Sequence, residues 1–148
     1  VLRLGAGGSL ASGRALSVNG GTFDLNGRSQ TVGALSGTGG VIVLGSGTLT
    51  TNSTSDTVLA AAITGTGRFV KQGSGTLTLT GANTYTGGTT VSGGTLIGTT
   101  TSLQGNITNK AAGAFSQSTK GTYAGTLSGT GSLTKTGQGN VKRTGNNT

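Results

Sequence analysis

Between Gly65 and Gly98 the chain reads GTGRFVKQGSGTLTLTGANTYTGGTTVSGGTLIG, a run in which apolar residues recur at every second position and glycines interrupt every few residues. Alternation with a period of two is the mark of a strand with one buried face. Glycines at 73, 75, 81, 87, 88, 93 and 94 leave no stretch long enough for a helix. Such a segment can fold only as short strands joined by tight turns. Its phrasing recurs. Gly-Thr-Gly stands at 37 to 39, 65 to 67 and 129 to 131, followed by the glycine pairs Gly45/Gly47, Gly73/Gly75 and Gly137/Gly139, and two residues later by Leu49, Leu77 and Val141.

Large side chains are scarce. Leu, Ile, Val and Phe total 31 of 148 residues, against 32 Gly and 30 Thr, with no Pro and no strict Gly-X-Y period. Collagen is thereby excluded, and the registered apolar residues argue against a flexible linker. A compact globule is hard to fill from so few large residues. A solenoid needs only a thin stacked column, because each coil also hydrogen-bonds to the next along its backbone. Thr suits outward strand faces and Gly suits corners. With strands stacked about 4.8 Å apart and roughly 20 residues per coil, the chain makes roughly seven coils.

Taken at every second position from Gly67, the run gives Gly67, Phe69, Lys71, Gly73, Gly75, Leu77, Leu79, Gly81, Asn83, Tyr85, Gly87, Thr89 and Val91, then Gly94 and Leu96. This row resembles the passenger-associated transport repeat, or autotransporter-associated β-strand repeat, of secreted bacterial passenger domains, departing at Phe69, where Leu is usual. The resemblance implies an all-β chain built as a single-stranded right-handed parallel β-helix. Residues 1–148 would be part of one passenger domain, with 65–98 as the best-matched repeat and 129–148 as a truncated copy. It also implies display outside a Gram-negative outer membrane and a partner in the protein's own C-terminal β-barrel translocator. The signal peptide and any anchor are expected outside this piece, since the chain has no h-region and no run of 18 apolar residues. The absence of Cys suits passage through a narrow pore.

Along the flanks, Ser17 to Phe23 repeats Thr90 to Leu96, and Asp24-Leu25-Asn26-Gly27 reads as a strand end and tight turn. Asn52 to Thr57 is expected as an exposed loop and Val58 to Ile63 as buried. A helix through Lys110 to Phe115 is conceivable, although Gly113 and a missing cap weaken it. In the last copy Arg143 stands where Leu79 stands in the central one. Buried in an apolar column it would be costly, which puts the closure of residues 140–148 in question.

Chemistry-bearing residues are few. There is no His or Cys, and the only carboxylates, Asp24 and Asp56, sit beside turn signals, which speaks against catalysis and offers no metal or cofactor ligand set. The ten cations are scattered without interleaved aromatics, which disfavours nucleic acid. They suit solubility, or a non-specific attraction to anionic surfaces on a host cell. Lys71 and Lys135 are expected to pack their stems along the coil with the amine in water. Asn83 and Asn147 are expected as turn caps or a stacked amide ladder, and Tyr85 as a core or corner residue. Thr76, Thr78 and Thr80 should face out. The expected role is a structural stalk that supports translocation and projects an adhesive or toxic region. An adhesin surface binding carbohydrate or matrix protein is the alternative, and a polysaccharide-cleaving enzyme is disfavoured by the carboxylate count.

Overall fold

A computed structural model describes all 148 residues. It is all-β, without helix, and its parallel strands stack as a solenoid of about seven turns. Every strand pairs with another lying 17 to 22 residues away, as in Leu96 with Gly113 and Gly37 with Leu59. That separation is one turn of the coil. Each turn runs over three faces. On the first, Gln30–Val32, Thr48–Asn52, Arg68–Gln72, Thr89–Val91, Ile107–Asn109 and Leu127–Ser128 are hydrogen-bonded in that order. The second stacks Thr57–Leu59, Thr76–Leu79, Thr95–Gly98, Ala112–Ser116 and Ser132–Thr136.

The third face is strand only towards the two ends. Leu2–Arg3 and Ala62–Thr64 bracket the later halves of Leu16–Asp24 and Leu35–Val43, two nine-residue strands that bend across a corner. At the far end Gly121–Tyr123 pairs with Val141–Arg143. Between them residues 82–84 are not strand, yet the Thr84 amide still donates to the Ile63 carbonyl and the Asn83 amide to the Thr101 carbonyl. Of 76 backbone hydrogen bonds, 35 lie outside the strand ladders, so coil-to-coil bonding continues through corners and loops. This continuity lets a chain poor in large side chains keep its buried peptide groups paired.

The core is one cluster of 23 buried side chains running along the axis. On the first face it is built in rows, one residue per coil: Gln30, Leu49, Phe69, Thr89, Ile107 and Leu127 form one, and Val32, Thr51, Lys71, Val91 and Asn109 another. Each fully buried Leu or Phe in such a row stabilises by about 1.5–3 kcal/mol through area removed from water.

Several expectations are corrected here. The residues Lys110 to Phe115 form no helix; Ala112–Ser116 is a strand, because its backbone is claimed by parallel ladders on both sides. Val58 is 54% exposed, since it alternates with the buried Leu59 and so points outward. Arg143 meets Tyr123 in register, but in the outermost coil, where its side chain reaches solvent. Residues 140–148 do close, with the Thr144 amide on the Tyr123 carbonyl and the Thr148 amide on the Leu127 carbonyl. The three Gly-Thr-Gly copies occupy different places in the coil. Gly37 lies within the strand leading to the third face, Gly65 precedes the first face and Gly129 precedes the second. The repeated phrase is corner, strand, corner, strand, and three similar corners per coil let it begin at any of them.

Candidate functional site: the inward row of the central repeat

From Ala61 to Val91 every odd-numbered residue is buried apart from Gly65, Gly73 and Gly87, which are partly so, and no even-numbered residue is buried except Gly88. The two-residue period survives three corners. The Gly93-Gly94 bend then inserts an extra residue, and the buried positions continue at even numbers with Leu96 and Gly98. The structure therefore places the sequence row on the inside of the coil. Phe69, Leu77, Leu79, Tyr85, Val91 and Leu96 are each at most 1% exposed, and Thr76, Thr78 and Thr80 point outward. The Phe69 and Tyr85 rings lie 6.3 Å apart and tilted by 54°, together filling one corner. Tyr85 hydrogen-bonds through its hydroxyl to Thr89 Oγ1 at 2.5 Å, and burial raises its pKa.

The glycines of the row answer to close approach between coils. A Cβ on Gly67, Gly73, Gly75, Gly81, Gly87 or Gly94 would overlap a carbonyl oxygen of the coil before, those of Gly47, Ser53, Ser55, Ala61, Gly67 and Gly75 respectively. Gly73 adds a second requirement, a φ of 76°, which L side chains rarely adopt.

Three polar members of the row tie coil to coil. Lys71 does not leave its amine in water, as the sequence suggests; it is 2% exposed. Its Nζ donates to the carbonyls of Gln72 at 2.8 Å, Gly73 at 3.0 Å and Gly93 at 3.2 Å, the last belonging to the next coil. Three carbonyl dipoles take the place of a counter-ion. Burial lowers the Lys71 pKa, against which the charge of Asp56 acts. Asn83 accepts from the Ile63 amide at 2.7 Å and donates to the Ser102 carbonyl at 2.6 Å, so one side chain binds the coil before and the coil after. It bridges backbone to backbone and forms no ladder of stacked amides. Asn147 makes the first half of the same contact, accepting from the Leu127 amide at 3.0 Å.

Further bridges of this kind have no counterpart among the sequence candidates. Buried Asn109 donates to the Ser132 carbonyl at 2.7 Å, Gln117 accepts from the Thr100 amide at 3.0 Å, and Gln30 bonds both the amide and the carbonyl of Leu10. A side-chain amide at an inward position is the signal that marks them. Both carboxylates are spent on structural contacts, mostly between neighbouring coils. Asp24 pairs with Arg3 at 3.0 Å and accepts from the Asn26 amide, while Asp56 accepts from the Thr76 amide at 2.6 Å. No concave site with a nucleophile and a base arises from these positions, and the apolar cavity of about 250 Å³ lies at the open C-terminal end of the core, between Leu96, Phe115, Leu127 and Leu133.

Residues 69–97 match the family model of the passenger-associated-transport-repeat. No curated protein and no solved structure matches the chain.

Proposed function

We infer, from a chain that carries the passenger-associated transport repeat of autotransporter passengers, that it is a structural segment of a passenger stalk, without enzymatic activity, which helps draw the passenger outward and projects a distal adhesive or toxic region from the cell. The observation that carries this reading is that buried polar side chains bridge successive coils. Lys71 and Asn83 each reach a carbonyl supplied only by the coil that follows, at Gly93 and Ser102. Each coil is therefore tied to its neighbours, and coils forming outside the cell oppose backsliding of the chain through a pore. The partner on this reading is the protein's own β-barrel translocator, and the location is the cell surface or the medium.

Leu77→Asp with Leu79→Asp, made in the full-length protein, tests it. Two carboxylates in the stacked column cost several kcal/mol unless protonated or paired. Less surface display at equal synthesis, with chain held or degraded in the periplasm, is the expected result. Normal display with lost cell binding would favour the adhesin reading, and normal display with normal binding would refute both.

A further inference from the structure

On the side of the last two coils, Gly121–Tyr123 and Val141–Arg143 pair in parallel, with Thr122 opposite Lys142. Tyr123 is buried, so Thr122 and Lys142 point out, and Lys120 and Asn140, two residues earlier on each rung, share that outward side. The result is a two-by-two array, Lys120 and Thr122 on one rung, Asn140 and Lys142 on the next. From the strand rise and the spacing between strands, the two lysines sit diagonally at about 8 Å between backbones. The four side chains and Gly121 line a cavity of about 320 Å³ with no hydrophobic residue in its wall.

None of those four side chains hydrogen-bonds within the chain. Four of the other eight cations are already engaged, Arg3 with Asp24, Lys71 and Lys135 with backbone carbonyls, and Arg68 with the Gly87 carbonyl, and the unpaired Arg14, Arg28, Lys110 and Arg143 lie outside this cleft. Both carboxylates, Asp24 and Asp56, are held in earlier coils, away from this cleft. A shallow cleft lined by no hydrophobic residue, with two unpaired ammonium groups flanking a hydroxyl and an amide, favours a ligand that carries both negative charge and hydroxyls.

We propose that the Lys120–Thr122–Asn140–Lys142 cleft binds an anionic polysaccharide, the lysines taking its sulfate or carboxylate groups and Thr122 and Asn140 its ring hydroxyls. The site lies on the flank of the rod, apart from the inward row, and so is independent of the stalk role. The test measures binding of the 148-residue chain to dextran sulfate and to alginate at physiological salt, with uncharged dextran and phosphatidylserine vesicles as competitors. Lys120→Gln with Lys142→Gln weakens binding at least about tenfold, while Arg14→Gln with Lys110→Gln, which removes equal charge from exposed positions elsewhere, changes it less than about threefold. Circular dichroism of both pairs stays that of the parent, since all four residues are exposed. The uncharged polymer and the vesicles do not compete. Equal weakening by the two pairs, competition by vesicles, or no binding of either polyanion would overturn the proposal.

Discussion

The central coils and the last coil carry the same kinds of residue with opposite fates. On one row of the second face, Leu77 and Leu96 are 1% exposed and Leu133 is 45% exposed. Lys135 grips the carbonyls of Thr136 and Gly137 as Lys71 grips those of Gln72 and Gly73, yet it is exposed and lacks the third carbonyl that Gly93 gives Lys71. Within these 148 residues Asn147 holds the coil before it, while Asn83 holds the coils on both sides. Burial in this fold is conferred by the neighbouring coil. The motif determines only which residues face inward to receive it. Nearest-neighbour stacking of this sort makes stability a property of coil pairs.

That comparison can be broken by matched substitutions. The largest gap in the 148-residue chain is expected for Leu77→Ala against Leu133→Ala. The first removes a fully buried side chain and leaves a cavity, at about 2–5 kcal/mol, and the second costs about 1 kcal/mol or less, read from urea unfolding midpoints. Equal losses would contradict the account. Next come the amides. Asn83→Ala strands the Ile63 amide and the Ser102 carbonyl and is expected to cost about 1–3 kcal/mol, with Asn147→Ala within about 0.5 kcal/mol. Lys71→Ala should fall in the same range, since it removes the donor to three partly buried carbonyls, and Lys135→Ala should again be near neutral.

The smallest effect sharpens the comparison through pH. Because burial holds the Lys71 pKa below its ordinary value, the folded chain binds that proton less tightly than the unfolded chain. Its contribution therefore rises with pH between the folded pKa and the unfolded value of about 10.4. Burial pushes Tyr85 and Tyr123 upward, so above about pH 10 the unfolded tyrosines ionise while the folded ones keep their protons, and stability falls. Melting temperature should thus climb modestly into the alkaline range and turn over near pH 10. Lys71→Met should flatten the climb, and Tyr85→Phe should soften the fall. A profile unchanged by Lys71→Met would remove the buried ammonium from the account.

Much of this architecture is legible in the sequence, because the period of two runs from Ala61 to Val91 and puts the repeat row from Gly67 to Val91 on one side, with Gly94 and Leu96 following after a one-residue shift. The coil length is less legible. Gly45, Gly47 and Leu49 match Gly73, Gly75 and Leu77 as text, but Leu49 stacks under Phe69, since one phrase serves any of three corners. Lys71 was out of reach for a different reason. A lysine at an inward position has water or backbone carbonyls as possible partners, and only the approach of Gly93 from the next coil decides between them. Val58 shows the converse: an apolar residue at an outward parity stays outside, because register outranks hydrophobicity.

The central claim, that each coil is completed by its neighbours, is tested most directly by native-state hydrogen exchange resolved to single amides. The amides of Ile63, Leu77 and Leu79, held by coils on both sides, should exchange at least about 100-fold more slowly than those of Ser132, Thr144 and Thr148 in the last coil, with protection declining stepwise between them. Equal protection from residue 61 to residue 148 would contradict it.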